Sequence, residues 1–135
     1  MRNFLYDVVT LFDCMQDPAT RDWFAQLDLP VPDAIPPGRY PSPTEIQTVL
    51  ESITGVRACY LISDRVWQAN LTSQKDVSWA CMSIKDYCGD PDSAHRFVFT
   101  AGWDEMILLA STHLAKRCGP LVLLPDSGSP PRLVY

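Results

Sequence analysis

The hydrophobic pattern of this chain changes its period at Gly55, and this change restricts the possible folds more than any other feature. Before Gly55, apolar residues recur at the three- and four-residue spacing of helices; after it, most segments are rich in β-branched and aromatic residues. A length of 135 residues favours one domain. The pattern predicts a single α+β domain over 1–135, comprising a helical N-terminal segment 1–28, a proline-rich connector 29–42 and a helix-plus-sheet body 43–135.

Two helices are predicted before the connector. Residues 4–15 place apolar side chains at helical spacing and follow Asn3, which is suited to be the N-cap. Asp17 and Pro18 then stand in the order of an N-cap and a first helical residue. We expect the second of these helices to be short.

The connector is dominated by prolines, which lack an N–H donor and keep their predecessors out of the α region. The range 29–43 contains six of them, the last being Pro43 itself. A flexible linker needs two domains to join, so we expect an ordered strap lying on the body of the domain. Its expected anchors are Val31, Ile35 and Tyr40.

A capping box marks the end of the connector. In the run from Ser42 to Glu45, the serine and glutamate side chains can each accept from backbone N–H groups at the helix start, and Pro43 suits the first helical position. The predicted helix covers 43–54 and ends at Gly55, which tolerates a left-handed backbone.

Strand-like segments follow the capping box helix and imply an antiparallel meander of four strands. A helix with acids in its first turn and basic residues in its last comes next, and then two strands around a long loop. The resulting fold class is α+β, with an antiparallel sheet of about six strands and helices packed on one face. The segments are strands 56–62, 65–72, 77–87 and 94–101, helix 103–118, and strands near 121–124 and 132–135.

The charge balance argues against nucleic acid as a partner, and the lengths of the apolar runs argue against a membrane. Eleven basic and 16 acidic residues give a net charge of −5, which disfavours nucleic acid because affinity for phosphates depends on cations. No run approaches the roughly 18 apolar residues of a membrane span. A basic protein is the partner that an acidic chain favours electrostatically.

The cysteine count indicates a reducing compartment. Five cysteines, an odd number without a recognisable signal peptide, predict free thiols and a cytoplasmic location. No cofactor motif accompanies them, so none is predicted.

The candidate nucleophiles are Cys81 and Cys88, each paired with His95 as the base. Catalysis would require a base within hydrogen-bond reach and a lowered thiol pKa. Adding His113 would supply zinc-type ligands, but the spacings do not fit a finger or ribbon, so no metal site is predicted. Burial in the core, without any chemical role, would explain these cysteines equally well.

Four acidic residues are candidate acid–base catalysts, since paired carboxylates can split their pKa values. Asp90 and Asp92 flank a proline in a turn, and Asp104 and Glu105 lie where a helix N-terminus favours negative charge. Structural roles account for all four.

The aromatic residues of the sheet are the remaining candidates. Strict alternation puts Trp67 on a face with Ala69 and Leu71, and Trp79 on a face with Cys81 and Ser83, so one tryptophan is expected on a partly polar face. Tryptophan, tyrosine and arginine are the residues of interface hot spots. The predicted partner-binding residues are Trp67, Trp79, Arg65 and Tyr40.

Two functional hypotheses follow. The first is a non-enzymatic protein of the immunity-protein or secretion-chaperone kind that binds another protein, or a second copy of itself, through the open sheet face or the strap. The alternative is a small enzyme that uses Cys81 or Cys88 with His95, or a pocket between the sheet and the first two helices.

Overall fold

A computed structural model describes residues 4–135 and has an α+β fold with a seven-stranded antiparallel sheet and four helices. The expected N-cap Asn3 lies outside the described residues. Among residues 4–135, no helix is long and apolar enough to cross a bilayer. In chain order the elements are β1 (Tyr6–Thr10), α1 (Leu11–Cys14), α2 (Pro18–Gln26), α3 (Pro43–Glu51), β2 (Val56–Ile62), β3 (Trp67–Ser73), β4 (Trp79–Ile84), β5 (Phe97–Gly102), α4 (Asp104–Cys118), β6 (Leu121–Pro125) and β7 (Arg132–Val134).

The prediction of a helix over residues 4–15 is wrong for most of that segment. Tyr6–Thr10 forms a strand, β1, and only Leu11–Cys14 is helical. Burial alternates along β1, with Tyr6, Val8 and Thr10 buried. The apolar residues fit either period, and pairing with strands distant in sequence selects the extended form.

This extra strand raises the number from the expected six to seven and joins the sheet into one. The strand order is β2-β3-β4-β5-β1-β6-β7. The predicted four-strand meander is present as β2 to β5, and the predicted C-terminal pair is present as β6 and β7. β1 lies between these two units and pairs antiparallel with both β5 and β6.

Two hydrophobic clusters lie on opposite faces of the sheet. Val8 belongs to the larger cluster and the adjacent Val9 packs on the smaller one, and the same alternation separates Leu123 from Val122. Neighbouring strand residues point to opposite faces, so the clusters cannot share a face. Side chains of α3 and α4 join the larger cluster, and those of α1, α2 and the connector join the smaller one.

The start of α3 is the predicted N-cap, with one half of the capping box formed. The Glu45 backbone N–H donates to the Ser42 hydroxyl at 3.1 Å. The Glu45 carboxylate instead accepts two hydrogen bonds of 2.6 Å from the Arg39 guanidinium and lies 3.8 Å from Arg117 of α4. Glu45 therefore links the connector, α3 and α4, and the Arg39 hydrogen bonds lower its pKa.

The proline-rich connector lies against the body of the domain. The Thr10 N–H donates to the Tyr40 hydroxyl, which in turn donates to Asp13. A Cβ at Gly38 would stand 2.8 Å from the Thr10 Cβ, so only glycine permits this approach. Val31 and Ile35 pack on the smaller cluster.

We expect Glu45→Gln to lower the free energy of unfolding at pH 7, because it weakens the charged hydrogen bonds to Arg39. The loss should be only about 1 kcal/mol, because water screens the half-exposed arginine. A folded-state pKa below the usual value means that the stabilisation is present above about pH 4.5 and is lost as the pH falls through the lower folded-state pKa. Urea unfolding of both proteins should therefore give a difference that is smaller at pH 3 than at pH 7. An equal difference at both pH values would contradict this. Asp22→Asn, a change of an exposed acid on α2, is the control.

Candidate functional site

An apolar groove lies between α1, α2 and the connector, and we call it the strap groove. It has a volume of about 530 Å³. Of its 11 lining residues, eight are apolar and only Gln16, Arg21 and Asp33 carry polar side chains. The residues are Phe12, Met15, Gln16, Arg21, Phe24, Ala25, Leu29, Val31, Pro32, Asp33 and Ile35.

Local rules of helix capping shape the walls of the strap groove. Asp17 accepts from the N–H and hydroxyl of Thr20 at the start of α2, and the hydroxyl hydrogen bond is the main cause of its lowered pKa. At the other end, Leu29 N–H donates to Phe24 C=O and Asp28 N–H to Ala25 C=O. These are the two hydrogen bonds of a Schellman motif, whose apolar contact brings Leu29 to Phe24.

Negative charge is concentrated in the segment 12–35 that forms the strap groove, and the charged residues that line the groove itself are Arg21 and Asp33. Residues 12–35 contain one arginine and five aspartates, a net charge of −4, whereas the whole chain has −5. Asp13 is bound by Tyr40 and Asp17 caps α2. The other three, Asp22, Asp28 and Asp33, are exposed and form no ion pair within residues 4–135.

Asp28 occupies the left-handed position of the Schellman motif, with φ of 54°, where glycine is the favoured residue. We expect Asp28→Gly to raise the free energy of unfolding by about 0.5–1 kcal/mol, because a left-handed backbone strains a residue with a Cβ. Gln26→Gly, two residues earlier in regular helix, should lower it by a similar amount. Urea denaturation measures both, and a loss of stability in both variants would contradict the assignment.

The second exposed surface is formed by the outward side chains of β2, β3 and β4, and we call it the open half-sheet. Pairing aligns them in cross-strand rows. Leu61 is 61% exposed and Trp79 40% exposed. The rows are Arg57–Thr72–Trp79, Cys59–Asn70–Cys81 and Leu61–Gln68–Ser83.

The four predicted partner-binding residues lie in different places. Trp67 is 2% exposed and packs in the larger cluster with Ala69 and Leu71, so it offers no surface to a partner. Trp79 lies on the open half-sheet, as the expectation of one tryptophan on a partly polar face requires. Arg65 is exposed in the turn between β2 and β3, and Tyr40 is half-buried in the connector.

The candidate nucleophiles are not joined to a base in the described part of the chain. The Cys81 thiol donates to the Asn70 side-chain oxygen at 2.9 Å, and burial raises its pKa. Cys88 is exposed in a shallow cavity with Arg65. The His95 ring contacts the Ser93 carbonyl at 2.7 Å and no thiol.

Structural roles account for the two buried thiols, Cys14 and Cys118, and for two of the candidate acids, Asp90 and Asp104. Burial is the main cause of a pKa of about 11 for both Cys14 and Cys118. A hydrogen bond from Ser93 lowers the pKa of Asp90, and Asp104 accepts hydrogen bonds from Tyr6 and Arg132. Within residues 4–135, no three His, Cys, Asp or Glu side chains are grouped to hold a metal ion.

The thiols should differ in reactivity according to exposure. With iodoacetamide at pH 7.5, we expect Cys59 and Cys88, both exposed, to react first and Cys14 and Cys118 to be protected, because only an accessible thiolate attacks. Peptide mass spectrometry at timed intervals measures this, with urea-unfolded protein as the control in which all five react. Fast reaction of Cys81, which has a raised pKa, would contradict the geometry and favour a catalytic thiol.

Comparison of the chain with models of protein families, with curated proteins and with solved structures finds no match. Functional inference therefore depends on the geometry and charge of the residues described above. No sequence motif predicts the strap groove or its lining residues, although a pocket beside the first two helices is one of the expectations stated above. The groove's signal in the sequence is the concentration of aspartates among apolar residues in 12–35.

Proposed function

We propose that this protein is a non-enzymatic binding protein whose strap groove holds a basic amphipathic segment of another protein. The observation that carries the proposal is an open apolar groove built from a chain segment, 12–35, whose net charge is −4 out of −5 for the whole chain. An immunity protein that neutralises a basic toxin, or a chaperone that holds a basic secreted protein, would work in this way.

The apolar lining supports a partner that brings bulky apolar side chains. Met15 and Phe24 are buried beneath the groove, whereas Phe12 at 37% exposure leaves part of its ring to solvent. Covering such surface contributes roughly 25 cal/mol per Å². One face of a helix, with anchors at three- and four-residue spacing, suits a groove of this kind.

The charge supports a partner whose remaining surface is basic. Asp22, Asp28 and Asp33 form no ion pair within residues 4–135, so partner lysines or arginines could pair with them. Asp33 lines the groove, and the other two lie in the chain segment that forms its walls. Exposed pairs of this kind add little affinity individually, but they steer association and select against acidic partners. Binding should therefore weaken as salt rises, because ions screen the rim.

Three synthetic peptides test this function with the purified protein. One has leucines on one helical face and lysines on the other, the second replaces every lysine by glutamate, and the third scrambles the first. We expect fluorescence anisotropy to detect saturable binding of the first peptide alone, decreasing with salt. Equal binding of the first and scrambled peptides would reduce the interaction to net charge and contradict the proposal.

A matched pair of variants locates the binding site. Ala25 and Ala19 are exposed alanines of α2, and of the two only Ala25 lines the strap groove. Ala25→Arg and Ala19→Arg make the same change in charge on the same helix. We expect Ala25→Arg to weaken peptide binding at least about tenfold, or about 1.4 kcal/mol, and Ala19→Arg to change it far less. Equal effects would exclude the groove as the site.

A further inference from the structure

The two edges of the sheet differ in their protection against pairing with another strand. β7 has three residues, follows two prolines and begins with a charge at Arg132. Short strands, prolines and charges are the usual means of blocking an edge. β2, at the opposite edge, has seven residues, contains no proline and has Arg57 as its only charged side chain.

The hydrogen-bond pattern identifies the backbone groups that β2 leaves free. Ser63 N–H donates to Val66 C=O, and Gln74 N–H donates to Gly55 C=O. In an antiparallel pair these bonds recur at every second residue, so the odd-numbered residues of β2 bond to β3. The even-numbered residues point their backbone N–H and C=O groups outward, to the free edge of the sheet. Among residues 4–135, nothing hydrogen-bonds to the outward N–H groups of Ala58, Tyr60 and Ile62.

We infer that β2 pairs antiparallel with β2 of a second copy of this chain, which extends the sheet across a two-fold axis. Such an axis makes the same surface face itself in both copies. The even-numbered residues, whose backbone groups point to the free edge, must pair with even-numbered residues of the second copy. Only one register then gives full overlap of the two seven-residue strands. In that register Cys59 lies opposite its own copy, and Arg57 lies opposite Leu61 of the second copy.

The side chains of β2 are compatible with self-pairing. Each Arg57 would extend its aliphatic stem over Leu61 of the other copy, which covers a leucine that is 61% exposed. The two arginines would be displaced by four residues, about 13 Å along the strands. That distance exceeds the Debye length of about 8 Å at physiological salt, so repulsion between the two arginines is largely screened. On the other face, Ala58 would lie opposite Tyr60.

Sedimentation velocity across a range of protein concentrations tests the inference. We expect a reversible monomer–dimer equilibrium for the wild-type chain. Leu61→Lys should abolish the dimer, because it places a cation opposite Arg57, whereas Leu61→Glu removes the same leucine and should retain the dimer. Adding Arg57→Glu to Leu61→Lys reverses the first charge and should restore the dimer. Circular dichroism of each variant checks the fold.

A cross-link in the wild-type protein tests the register independently of those variants. In the inferred register Cys59 forms a non-hydrogen-bonded pair with its copy, with Cα atoms about 4.5 Å apart, which is within disulfide range. Two copper(II)–phenanthroline complexes should each accept one electron. The two Cys59 thiols lose their protons and form a disulfide between the two copies. Cys59→Ser should prevent the cross-link, and Cys88→Ser, a change at another exposed cysteine, should not.

Three results would overturn the inference. They are a wild-type chain that stays monomeric at millimolar concentration, equal dimerisation of Leu61→Lys and Leu61→Glu, and a dimer whose cross-link does not involve Cys59. If the wild-type chain stays monomeric and β2 instead binds a strand of a different protein, the first of these results applies and the inference is wrong. Peptide binding in the strap groove is measured in a separate experiment, and the groove lies away from β2, beside the strands at the other end of the sheet order. The two proposals can therefore fail independently.

Discussion

The pairing of β1 with two partners is the interaction on which the rest of the structure depends. Without β1, the meander β2 to β5 and the hairpin β6–β7 would share no strand contact in the sheet order. Asp7 of β1 also binds Arg96, which precedes β5, at 2.6 Å. The chain leaves β1 directly into α1, because the Thr10 hydroxyl caps that helix. The position of β1 therefore determines where α1, and with it one wall of the strap groove, lies on the sheet.

Features that depend on neighbouring residues could be predicted from the sequence, and features that depend on distant pairing could not. Ser42 caps α3 and Asp17 caps α2 as the local patterns indicate. The strand β1 was missed because its apolar residues also fit a helical period, and its partners β5 and β6 lie at the other end of the chain. The second half of the capping box was predicted but does not form, since Arg39 binds the Glu45 carboxylate.

The same distinction applies to the candidate sites. Alternation along β3 and β4 separated the face of Trp67 from that of Trp79, but only the position of α3 and α4 decides which face is buried. The strap groove required three elements to meet, and no local motif encodes that meeting. The aspartates of 12–35 are evident in the sequence, but their relation to an apolar groove depends on the folded positions of α1, α2 and the connector.

The two proposed surfaces lie on opposite halves of one sheet because β1 separates them. The smaller cluster, beneath α1, α2 and the connector, contains residues of β6 such as Val122 and covers that half of its face. β2 to β4 receive no such cover on the same face, which leaves the open half-sheet and the free edge of β2. In a dimer formed at β2, each strap groove would therefore lie far from the two-fold axis. Two grooves held at opposite ends of one extended sheet could bind two basic segments of one partner, and the second binding event would gain from effective concentration.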